Sequence, residues 1–144
     1  MQWDASLNAG FSSVQPWLRT NPDYPLRNVQ AQSEDPHSLY HFYKQLIRLR
    51  GENPALYDGA LDLLPLENES VLVYKRTAAE QQALIALNFS NREQKVSIPL
   101  AAANGSKNES QAWQLLFGGN DAGQSALTEN HVQLPAYGLA ILIA

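Results

Sequence analysis

The 144-residue sequence contains no cysteine. That absence removes disulfide frameworks and thiol chemistry together. No run of about 18 apolar residues occurs, so no helical membrane span is expected. Positive charge is scarce: 10 Lys and Arg against 14 Asp and Glu leave a formal net charge of −4. Nucleic acid, which binds basic patches, is therefore not an expected partner, and neither is a membrane. The opening MQWDASLNAG lacks the basic and apolar regions of a signal peptide. A reducing, cytoplasmic setting is the expectation. Repeats and low-complexity tracts are missing too. What is present is a 44% apolar composition, enough for a sizeable core in one domain, or in one domain and part of another. Four Asn-x-Ser sequons, at Asn68, Asn88, Asn104 and Asn108, are read as turn residues rather than glycan acceptors.

Asp35–Gly51 carries the strongest helix signal. Asp35 is the expected N-cap and Pro36 suits the first helical position. Leu39, Phe42, Tyr43, Leu46, Ile47 and Leu49 recur as one apolar stripe. Gly51 is the expected C-cap, and Pro54 blocks continuation. An amphipathic helix must cover something. Residues 1–34, by contrast, read as irregular, because Pro16, Pro22 and Pro25 interrupt any regular element. They hold isolated aromatics that no local core can bury.

From residue 57 the apolar period becomes two. Strands are expected at 61–64, 71–76, 83–89, 95–100, 112–117, 126–134 and 139–144. Val96, Ile98 and Leu100 should point inward, and Pro99 demotes their strand to an edge. Residues 101–110 read as a loop, and Gly118–Gly119–Asn120 as a strand break. Seven short strands separated by turns predict a mainly β, antiparallel sandwich.

Several stretches resemble a known family. MQWD (residues 1–4) resembles the end of the Arg-Thr-Pro-Met-Gln-Trp-Asp motif of α-glucosidases and oligo-1,6-glucosidases. These belong to the α-amylase superfamily, glycoside hydrolase family 13. The likeness continues through Asn8-Ala9-Gly10-Phe11, Pro16-Trp17, Asn21-Pro22 with Tyr24, Asn28-Val29 with Gln32, and Asp35-Pro36 with Ser38. It then takes in Phe42-Tyr43-Lys44, Leu46-Ile47 with Leu49-Arg50, Asn53-Pro54-Ala55-Leu56, Leu87-Asn88-Phe89-Ser90 and Leu134-Pro135 with Tyr137. One departure is Leu7, where relatives often have Pro. The first 56 residues carry specific matches; the β half is generically similar.

The resemblance implies that residues 1–56 are the last loop and last helix of a (β/α)₈ catalytic barrel, and 57–144 an all-β C-terminal domain. Retaining hydrolysis needs a nucleophilic carboxylate and an acid about 5 Å apart. In the family both lie on earlier barrel strands, and the Arg of the seven-residue motif is absent as well. The chain is therefore expected to be a C-terminal fragment, inactive alone, with no catalytic residue, cofactor or metal ligand of its own. Its parent would act on α-linked gluco-oligosaccharides.

The resemblance also puts Trp3, Asp4, Phe11 and Trp17 near the parent's substrate. Read by themselves, these residues are better explained by packing or bracing of the loop than by sugar contact. His37 and His41 have metal-ligand spacing without a third ligand and read as surface residues. Glu129 and His131 read as a solvated strand face. The expected partners are the missing barrel and, in the parent, oligosaccharide. Without the barrel, Leu39, Phe42, Leu46 and Leu49 are expected to drive self-association about a two-fold axis. The alternative is an independent carbohydrate-binding β-sandwich module. Such modules display exposed aromatic rows, whereas the β half has only Trp113 with Tyr57, Tyr74 and Tyr137.

Overall fold

The computed structural model describes residues 1–97, 113–119, 123–128 and 131–144. They divide into two compact units, Met1–Leu49 and Arg50–Ala144.

The first unit is held by polar contacts rather than by an apolar core. Helix α1 (Val29–Glu34) lies inside the stretch expected to be irregular. Six residues are too few for a stable isolated helix, so its end groups matter. Val29 and Gln30 donate to the carbonyls of Gln2 and Trp3, each at 2.9 Å. Ala31 N–H donates to Asn28 Oδ1 at 2.9 Å, and Asn28 Nδ2 donates to Tyr24 O at 2.8 Å. The buried Asn28 thus caps the helix and ties it to the preceding turn. Apolar periodicity could not reveal this helix, because Val29 is its only large apolar residue.

Helix α2 spans Leu39–Glu52. Its cap is Ser38, not Asp35: Ser38 Oγ accepts from His41 N–H at 3.4 Å and donates to Gln32 O at 2.6 Å. Asp35 instead closes a turn ahead of the helix, its Oδ1 accepting from His37 N–H at 2.9 Å. At the other end, Gly51 remains inside the helix. The chain leaves it at Asn53, which is extended (φ −124°, ψ 106°) as the residue before a proline prefers. Pro54 then opens α3 (Pro54–Tyr57). Along α2, Phe42, Leu46 and Leu49 are half-buried. The open apolar face is formed by Leu39, Tyr40, Tyr43 and Ile47 instead.

The second unit is an antiparallel sandwich. A five-stranded sheet has the order β1-β2-β3-β8-β5, with β1 Ala60–Leu64, β2 Val71–Thr77, β3 Gln82–Asn88, β5 Gln114–Gly119 and β8 Leu139–Ile143. A three-stranded sheet has the order β4-β7-β6, with β4 Gln94–Ser97, β6 Ala126–Thr128 and β7 His131–Leu134. Alternation directs Val71 and Val73, Leu84 and Ala86, and Ala140 and Leu142 into one core. The second sheet meets them with Val96, Val132 and Leu134. Each fully buried leucine or valine contributes roughly 1.5–3 kcal/mol. Trp113 packs half-buried against this core.

Eight strands are present among the described residues where seven were expected. The segment 126–134 is two paired strands, with Thr128 opposite His131. Gly118 and Gly119 do not break β5; both lie within it, past a register shift between Leu115 and Phe117. β4 is an edge strand, as expected. The expectations for Ile98, Pro99, Leu100, the loop 101–110, Asn104, Asn108, Asn120 and Glu129 lie outside the described residues.

The sequon asparagines Asn68 and Asn88 serve turns. Asn68 Oδ1 accepts from Ser70 N–H at 2.9 Å, and its Nδ2 donates to Gln94 Oε1 at 2.9 Å. Asn88 is 4% exposed. Its Nδ2 donates to Arg92 O and Pro135 O, each at 2.7 Å, and its Oδ1 accepts from Ser90 N–H and Oγ.

Candidate functional site

The loop that opens the chain is closed by a turn of unusual backbone. Asn8, Ala9 and Gly10 take φ of 55°, 56° and 71° in succession. That region costs a side-chain-bearing residue roughly 1–2 kcal/mol. Asn8 offsets part of the cost, its Nδ2 donating to Ser12 O and Val14 O at 3.0 Å each. Ala9 has no such contact to offer, but its methyl is fully buried and its carbonyl accepts from Trp3 N–H at 2.8 Å and Asp4 N–H at 3.4 Å. Gly10 and, more weakly, Asn8 are residue types that suit this conformation. Ala9 was legible as family likeness but not as a strained position.

Trp3 is consequently fixed from both sides. Its N–H is held by Ala9 and its carbonyl by Gln30, while its side chain stays 50% exposed. Asp4 lies beside it, half-buried, with Oδ1 accepting from Ser6 N–H at 2.8 Å and Ser6 Oγ at 2.5 Å. The Ser6 hydroxyl, then the Ser6 amide, hold the Asp4 carboxyl below the ordinary carboxylate value. A carboxyl stabilised as the anion is an acceptor for hydroxyl groups. A general acid needs the opposite shift.

The structure brings Trp3, Asp4 and Phe11 onto one loop, with Phe11 N–H donating to Asn8 O at 3.4 Å. Trp17 is 94% exposed. Of the two histidines expected at the surface, His37 is exposed and His41 is only partly so. His41 is half-buried, with Nδ1 2.9 Å from Asp35 O and 3.2 Å from Ser38 Oγ, which ties it into the α1–α2 link. His37 meets that link through its backbone amide.

Beside the loop is an apolar groove of about 610 Å³ within the first unit. It is lined by Met1, Trp3 and Val29 together with Leu39, Tyr40, Tyr43 and Ile47, and by the polar Gln32 and Lys44. Sequence periodicity pointed to the α2 stripe. It did not show that Trp3 and Met1 complete a groove with it.

Comparison with known proteins gives these features a context. Residues 1–59 match the family model described as alpha amylase, catalytic domain, and residues 61–141 the model described as maltogenic amylase, C-terminal domain. An oligo-1,6-glucosidase of Parageobacillus thermoglucosidasius is 39% identical over 99 residues, covering 69% of this chain and 18% of that protein. An oligo-1,6-glucosidase of Heyndrickxia coagulans is 36% identical over 128 residues, 88% of this chain and 21% of that protein. The chain thus spans about a fifth of the length of these relatives. A solved trehalulose synthase mutant in complex with Tris superposes with a TM-score of 0.81 at 28% identity, over 99% of this chain and 24% of that one. An isomaltulose synthase mutant from Erwinia rhapontici, in complex with sucrose, gives 0.77 at the same identity and coverage.

Proposed function

Because the chain belongs to the α-amylase superfamily of glycoside hydrolases, its second half being a maltogenic amylase C-terminal domain, we propose that it is the C-terminal part of an α-glucosidase-type enzyme acting on α-linked gluco-oligosaccharides. In that parent, carboxylates carried by the rest of the catalytic domain perform retaining hydrolysis. This chain supplies no catalytic group, is inactive alone, and has a structural role. Trp3, Asp4, Phe11 and Trp17 are its residues closest to substrate. Trp3 offers an aromatic face for a sugar ring and Asp4 an anionic hydroxyl acceptor.

The observation that supports this reading most is the state of the first unit. Of residues 1–49 only Ala9, Asn28 and Ser38 are buried, and no large apolar side chain is. Yet its family match is to a catalytic domain. A unit with so little core of its own is suited to being part of a larger one. The alternative of a free carbohydrate-binding module would use displayed aromatics; Tyr57 and Tyr137 are exposed, but Trp113, the one tryptophan of the β half, is packed half-buried on the sandwich core.

A chimera tests the reading. This chain would replace the C-terminal fifth of the P. thermoglucosidasius oligo-1,6-glucosidase, and the product would be assayed on p-nitrophenyl α-glucoside. The chimera is expected to turn over while the chain alone gives neither turnover nor saturable binding of maltose or isomaltose. An inactive chimera would refute the parent assignment. Saturable sugar binding by the chain alone, with Trp113 quenching, would favour the module.

A further inference from the structure

We infer that Asp58–Gly59, between α3 and β1, is a latent site of isoaspartate formation, held shut in the folded chain by Arg76. It is the one Asp-Gly pair in the sequence, and Asp58 is exposed. A glycine leaves the amide nitrogen after an aspartate unshielded by any side chain, so that nitrogen can attack the aspartate's own carboxyl carbon. The step forms a bond between Gly59 N and Asp58 Cγ. The carboxyl hydroxyl leaves with the amide proton as water. Water then opens the five-membered imide at the Asp58 main-chain carbonyl, breaking the bond from that carbon to Gly59 N. The chain now runs through the Asp58 side chain, one methylene longer, with the α-carboxylate free.

Ring closure requires Gly59 N to eclipse Cβ about the Cα–C bond of Asp58. Asp58 has ψ of −7°, so Gly59 N eclipses the Asp58 nitrogen instead, and the tetrahedral Cα leaves Cβ about a third of a turn away. Turning ψ that far would swing Gly59 out of its place. Gly59 O accepts from Arg76 Nη2 at 2.8 Å, and the same guanidinium donates through Nε to Ala55 O at 2.9 Å. Gly59 packs so closely on the Ala55 carbonyl that a Cβ would overlap it. Asp58 N–H donates to Pro54 O at 2.9 Å, and Ala60 is paired opposite Thr77. One charged donor thus ties α3 to the residue that must move, and hydrogen bonds from a charged donor are the stronger kind. Cyclisation then draws only on the fraction of molecules opened locally.

The full chain and a synthetic peptide of residues 54–63 would be aged side by side. Isoaspartate at residue 58 is read by electron-transfer fragmentation of the digested chain, which resolves the site. The chain should convert about tenfold or more slowly than the peptide. Arg76→Met keeps the aliphatic stem and loses both donors, so it should convert about tenfold faster than the wild type. Val132→Ala weakens the core from the three-stranded sheet without touching the lock, and should stay near the wild-type rate. Equal rates in the wild-type chain and the peptide would overturn the inference without recourse to any variant. A wild-type rate in Arg76→Met would remove Arg76 as the lock. An acceleration by Val132→Ala equal to that of Arg76→Met would show that global unfolding admits the reaction, and would overturn the local lock.

Discussion

Gly10 and Asp4 are packed so that nothing but hydrogen fits between them: a Cβ on residue 10 would lie 2.5 Å from an Asp4 carboxylate oxygen. Position 10 also has φ of 71°. Gly10→Ala therefore meets both a backbone penalty of roughly 1–2 kcal/mol and a clash with the acid. The expected result is local opening of the Trp3 loop. Faster hydrogen exchange at the Trp3 and Asp4 amides, with the sandwich amides unchanged, is the measurement.

Asp4 should titrate below the ordinary carboxylate value of 3.8, because Ser6 hydrogen-bonds its anion. Its folded value is depressed, so its contribution to loop order is present above the unfolded value. That contribution is lost as pH falls through the folded one. Carboxyl-detected NMR on the wild type and on Ser6→Ala checks this. The variant should titrate higher, since the Ser6 hydroxyl, the larger of the two stabilising hydrogen-bond donors, is gone.

Asn88→Ala should be among the costlier single changes in the sandwich. It removes one donor each from Arg92 O, which keeps Ser90 Oγ, and from Pro135 O, which keeps Gly138 N–H, and it leaves Ser90 N–H without its acceptor. Losing a hydrogen bond costs about 0.5–1.5 kcal/mol and uncovering a polar group about 1–3 kcal/mol, so a loss of about 2–4 kcal/mol is expected in urea unfolding.

Thr77→Val should go the other way. Thr77 Oγ1 is buried with no hydrogen-bond partner among the described residues. An isosteric methyl removes that penalty, and a gain of about 1 kcal/mol is expected, visible as a raised denaturation midpoint.

A chain beginning at Arg50 should melt cooperatively, and one beginning at Gly59 should melt lower. Arg76 Nε donates to Ala55 O at 2.9 Å and its Nη2 to Gly59 O at 2.8 Å, while Ala55 is fully buried. Cutting α3 away removes the Ala55 acceptor from a charged donor, worth about 1.5–3 kcal/mol. For a domain of this size each kcal/mol moves the midpoint by about 4–8 °C.

What the sequence determined by itself was whatever repeats with a period. Alternation in VLVYKR and the unbroken apolar runs at 83–87 and 139–143 located β2, β3 and β8, because one-sided or two-sided burial imposes that pattern directly. The α2 stripe was legible for the same reason, and the family likeness came from its local motifs. Tertiary structure decided the features whose partners are remote or purely backbone. Ser38 displaced Asp35 as the α2 cap because its hydroxyl also reaches Gln32. α1 exists because Gln2 and Trp3, more than 25 residues earlier, accept from its first amides. Which α2 residues stay open, and that Trp3 lines a groove with them, depends on how the loop folds back. No periodicity in a single segment encodes that path, because the hydrogen bonds that set it join segments far apart in sequence.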